Sequence, residues 1–200
     1  MVKNLQGSSL IAVLTLAAAS FTGGISCALS QTSRVAMSTA VVAEDSILKQ
    51  DSFAALEHLY ADQPRAKEIA ERSKAILVFP NLTEAGFLTG VQGGDGLLIE
   101  DGKVTGIYNN TMLSGYVAEE GVQSFAEVMF FTNSAALNNL RSTKEWPSGS
   151  GQTIVLMDEH MAKTMTTTTL KNDVYAFIFG RQGLMAGRGL QTQKITRIKG

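Results

Sequence analysis

Cysteine and histidine are scarce in this 200-residue chain, and each scarcity excludes something. Cys27 is the one cysteine, so no intramolecular disulfide can form and the fold must rest on its core. The two histidines, His58 and His160, fall in different predicted elements. A tight zinc site needs three or four convergent ligands. The nearest approach to one, Asp158-Glu159-His160, is a polar triplet after a predicted strand with nothing to pair with it. No serine stands in a G-x-S-x-G elbow, and Ser148 and Ser150 belong to a glycine loop. Glu119 and Glu120 are adjacent, and adjacent residues of a strand face opposite sides. The chain is therefore expected to be no enzyme and to hold no metal or cofactor. The outside alternative is a site built on Asp158, Glu159 and His160.

A charge excess of either sign is missing too. Seventeen basic and eighteen acidic residues leave a net charge of −1, which argues against nucleic-acid binding, since that needs a strong basic field. Lys3 is the only charge before Arg34, and Leu10 to Ala19 is an apolar run of signal-peptide length. It falls short of the roughly 20 residues that span a bilayer. Ala28-Leu29-Ser30 offers a cleavage site before Gln31, and an earlier cut after Ala18-Ala19-Ser20 is an alternative. Residues 1–30 are thus read as a signal peptide and residues 31–200 as a single domain, exported to the periplasm or cell envelope. Cys27 adds a second option, the acylated first residue of a lipoprotein, although Gly24 stands where such signals usually carry a branched aliphatic. One acyl chain alone anchors only marginally.

Glycine is absent between Gly24 and Gly86, and sixteen glycines follow from there. The break separates helical material, about 35–75, from a strand-and-turn body, about 76–198. Phe53, Leu56, Leu59 and Tyr60 recur at helical spacing behind Asp51, a candidate N-cap. Pro64 suits the first turn of a second helix. Beyond Ala75, short β-rich runs are predicted at Ile76–Phe79, Gly86–Gln92, Leu97–Glu100, Val104–Tyr108, Tyr116–Val117, Val122–Thr132, Thr153–Met157, Val174–Phe179 and within Leu184–Ile198. Asp101-Gly102 is the strongest turn signal, because a two-residue hairpin with both central residues at positive φ favours that pair. Asn133-Ser134 caps a short helix over Ala135–Arg141. Helices followed by strands without alternation predict an α+β fold, in which N-terminal helices precede a twisted, mainly antiparallel sheet or partial barrel with one short inserted helix. Gly93-Gly94-Asp95-Gly96 follows a strand but no helix pattern follows it, so a pyrophosphate would find no helix N-terminus.

The C-terminal segment is basic without acids: Arg181, Arg188, Lys194, Arg197 and Lys199. Alternation places Arg188 and Lys194 on one face with Leu184, Leu190 and Ile198. One reading has their stems cover apolar surface while the charges reach water. The other is a cationic rim for anionic lipid headgroups, where each basic residue contributes on the order of 1 kcal/mol.

Several segments in order resemble the SYLF lipid-binding domain family. They are Lys74-Ala75-Ile76-Leu77-Val78-Phe79-Pro80, Glu84-Ala85-Gly86-Phe87, Gly94-Asp95-Gly96-Leu97-Leu98, Met129-Phe130-Phe131-Thr132, Ala176-Phe177-Ile178-Phe179, Gly183-Leu184-Met185-Ala186-Gly187 and Lys194-Ile195-Thr196-Arg197-Ile198. The likeness covers about Asp51 to Ile198. It implies a non-enzymatic domain that associates with phospholipid or a membrane surface, including an anionic one. A structural or scaffold protein of the envelope that binds another protein is the alternative. The chain departs from the family pattern at Tyr116–Glu120, Arg188-Gly189 and Thr192-Gln193, which leaves ligand preference open.

Overall fold

The structure, a computed structural model, describes residues 28–147, 152–157, 171–183 and 193–200, with side chains described outside 28–42, 86–90, 113–120 and 182–183. Residues 1–27, most of the segment read as a signal peptide together with Cys27, therefore lie outside the described residues, as do Arg188, the Ser148–Gly151 loop and the Asp158–His160 triplet. The chain divides into two compact units, Met1–Ala40 and Val41–Gly200. The second contains the sheet.

Helix α1 runs Ala28–Asp62 and α2 Pro64–Ala70. Neither glycine nor proline interrupts 28–62, so nothing stops α1 at Asp51. That residue lies inside the helix rather than capping it. The stop comes at Pro64, which pushes the preceding Gln63 out of the helical region, to φ −133° and ψ 84°. Leu56 and Leu59 of α1 and Ala66 and Ile69 of α2 form the buried stripe.

The sheet is dominated by one long hairpin, β1 (Ala75–Glu100) and β2 (Lys103–Phe131). The runs predicted as separate strands on either side of the turn are continuous, joined through irregularities such as the one between Phe79 and Leu82. Pro80 explains that one, because it has no N–H to give to the ladder. Asp101 (φ 48°) and Gly102 (φ 73°) form the expected turn. Helix α3 (Ser134–Ser142) comes next, its Ala136 N–H donating to the Asn133 side chain at 2.8 Å. Then come β3 (Glu145–Pro147), β4 (Ile154–Met157), β5 (Val174–Gly183) and β6 (Gln193–Lys199). The order is β3-β6-β2-β5-β4, with β1 on the other edge of β2. All described pairings are antiparallel except β4 with β5. The result is a curled mixed sheet, a half-barrel, preceded by helices.

Alternation sorts the sheet residues into two cores. Val78, Leu97, Ile99, Val128, Phe130, Tyr175 and Phe177 pack with α1 and α2. Leu77, Phe79, Leu98, Tyr108, Met129, Phe131, Ala176 and Ile195 form the concave layer with α3 and Trp146. The hairpin is folded back on itself. A Cβ on Gly94 would sit 2.5 Å from the Asn81 carbonyl oxygen, and one on Gly96 would collide with the Val78 oxygen and the Phe79 ring. Glycine is present here for close approach of two halves of one strand, not for a turn.

Candidate functional site

Beside the Pro80 irregularity lies a cleft between α1 and the sheet, with a volume of about 590 Å³. That lies within the roughly 300–1,000 Å³ range of ligand pockets. Its apolar lining joins distant parts of the chain: Ile47 and Leu48 from α1, Pro80 from β1, Ile107 from β2 and Ile198 from β6. Ile47 and Ile198 are 58% and 56% exposed, unusual for large aliphatics on facing elements. A second hollow of about 420 Å³ shares Asp51, Pro80 and Asn81 with the first and continues past Ala54, Ala55 and His58 to Phe125 and Phe179. His58 stacks on Phe179, with ring centroids 5.9 Å apart, and pairs with Asp62 at 3.3 Å. The acids Glu44, Asp45, Asp51 and Asp95 border the larger cleft, with Lys199 as its one cation among the described residues.

The C-terminal basic residues do not gather into one patch among those described. Along β6, Lys194 is exposed between buried Gln193 and Ile195, and beyond Thr196 the alternation gives way at an irregularity, so that Arg197, Ile198 and Lys199 are all exposed. Lys194 Nζ is 2.8 Å from Glu145 Oε1. Lys199 pairs with Asp45 across the cleft mouth. Arg197 is exposed, and Arg181 is exposed on β5, beside the opposite half of β2 from β6. Surface pairs such as Lys194–Glu145 contribute roughly 0–1 kcal/mol, so they remain open to exchange for a headgroup.

A second constellation lies inside the half-barrel. Glu127 is fully buried on the concave side of β2, in register with Phe79 and Ile178. The Asn110 amide donates to it at 3.1 Å, and Gln193 Nε2 donates to both of its oxygens at 3.2 and 3.0 Å. Burial pushes its carboxyl up to about 7, and the amide donors from Gln193 and Asn110 only partly oppose that rise. Glu127 thus ties the far half of the folded hairpin to its near half and to β6. Buried Gln123 donates to Glu84, also buried, at 2.5 Å. Gln92 Nε2 and Asn110 Oδ1 are buried without a hydrogen-bond partner among the described residues. This strip holds no serine, cysteine or histidine, and the described residues contain no group of His, Cys, Asp and Glu suited to a metal ion. A sequence reading misses it, although one signal was there: a lone acid within Phe125-Ala126-Glu127-Val128-Met129.

No family model matches the chain, and no curated protein matches it. Among the described residues, no helix is long and apolar enough to cross a membrane. The site must therefore be read from its own chemistry. An apolar cleft with a polar mouth suits an amphipath. Among the described residues that line the larger cleft there is no serine, cysteine or histidine.

Proposed function

We propose that this chain is a non-enzymatic lipid-binding protein of the bacterial cell envelope, associating with phospholipid at a membrane surface through the α1 cleft. The observation that carries the reading is the pair of half-exposed isoleucines, Ile47 and Ile198, lining one apolar cleft. Covering them with an acyl chain recovers on the order of 1 kcal/mol each, since fully burying such a side chain is worth roughly 1.5–3 kcal/mol. The resemblance to SYLF domains, the signal-like N-terminus and the basic C-terminal segment support the same assignment. Arg181, Arg188, Lys194, Arg197 and Lys199 are then headgroup contacts, and Cys27 is either removed with the leader or acylated.

Liposome flotation tests this reading. The protein should float with phospholipid vesicles, and Ile47→Asp or Ile198→Asp should reduce the bound fraction several-fold without lowering the melting temperature. Both positions are largely solvent-facing, so the fold tolerates the change. Wild-type protein that stays at the bottom of the gradient with every vesicle composition sinks the proposal. A contribution from the basic residues would weaken at high salt.

A further inference from the structure

Carboxylates dominate the mouth of the α1 cleft. Asp45 is engaged with Lys199, and Asp95 accepts from the Asn109 amide at 2.7 Å. Glu44 and Asp51 have no ion-pair partner among the described residues. They are seven residues apart on α1, two helical turns, and so fall on the same side of the helix, with Ile47 and Leu48 between them. A headgroup that presents only negative charge would meet four acids here against one lysine. A headgroup that ends in an ammonium would meet two uncompensated carboxylates, with its phosphate beside Lys199, which the exposed pair with Asp45 leaves partly open to a second anion.

We propose, resting on the lipid-binding reading above, that this cleft selects phospholipids whose headgroup ends in a primary ammonium of the ethanolamine type. The acyl chain lies against Ile47, Ile107 and Ile198, and the ammonium sits between Glu44 and Asp51. Charge complementarity decides the occupant: the apolar floor accepts any chain of suitable length, and the acidic rim ranks the headgroups. Both carboxylates are exposed, so the preference is screened by salt over a Debye length of about 10 Å at 0.1 M.

Calorimetric titration of the intact protein with two single-chain lipids, lysophosphatidylethanolamine and lysophosphatidylglycerol carrying the same acyl group, tests the proposal. Both are kept below their micelle thresholds. At low salt the ethanolamine lipid should bind about tenfold more tightly, a difference of about 1.4 kcal/mol. The gap should shrink at high salt. The Glu44→Gln, Asp51→Asn double variant should keep the melting temperature and the chain contact while losing the preference. Equal affinities, a preference for the glycerol lipid, or a double variant that still discriminates would overturn the headgroup assignment and leave the lipid reading standing. Failure of both lipids to bind overturns the lipid reading, and this proposal with it.

Discussion

Replacing Glu127 by glutamine should stabilise the protein at alkaline pH and have little effect in acid. The carboxyl is fully buried, and its folded-state pKa is raised from 4.5 to about 7. Below 4.5 both folded and unfolded chains hold the proton, so burial carries no ionisation penalty. Between 4.5 and 7 the unfolded chain releases the proton while the folded chain keeps it, and stability falls as pH rises. Above 7 both are ionised, and the loss levels off at about 3 kcal/mol, from a shift of roughly 2.5 units at 1.36 kcal/mol each. Glutamine is isosteric and never ionises. Its carbonyl can accept from Gln193, and its amide can donate to the Asn110 oxygen once that side chain turns over. At about 2–4 °C per kcal/mol for a body of this size, the variant should melt roughly 6–12 °C above wild type at pH 8. The advantage should vanish near pH 4.5. Parallel melts followed by circular dichroism across that range measure the difference, in which all other titrating groups cancel. A difference independent of pH, or a variant less stable than wild type at pH 8, would refute the reasoning that Glu127 is buried and only partly compensated.

Three further outcomes rest on the fold. Gly96→Ala drives a methyl into the Val78 oxygen and the Phe79 ring. Overpacking of this kind costs about 1–3 kcal/mol, and a lowered denaturation midpoint in urea checks it. Gly102→Ala meets open space but must hold φ near +73°, so it should cost only about 1–2 kcal/mol, read from the same urea midpoint. Asn133→Ala removes the α3 cap seen as the Ala136 N–H bond. It should cost about 1 kcal/mol, read as faster amide exchange in the first turn of α3.

What was legible in the sequence was local. Asp101-Gly102 announced its turn because few residue pairs tolerate positive φ twice in succession. Asn133-Ser134 announced α3 because the cap is a contact between near neighbours. The change from glycine-free to glycine-rich text marked the passage from helices to sheet. Long-range features left weaker traces. Pro80 and the glycines of β1 suggested separate strands, whereas tertiary pairing with β2 carries the ladder through them as irregularities. The cleft assembles residues near Ile47 with residues near Ile198, about 150 positions apart, and no local pattern encodes that meeting. The basic C-terminal segment was visible as composition, but its neutralising partners, Asp45 and Glu145, come from α1 and β3.

The most direct test of the central claim is mass spectrometry of the protein purified natively from its own membranes, with bound lipid released and counted. Lipid binding through the α1 cleft predicts phospholipid recovered in near-stoichiometric amount and lost from the Ile47→Asp variant. Protein that emerges free of lipid, or an Ile47→Asp variant that retains the same lipid load, would contradict it.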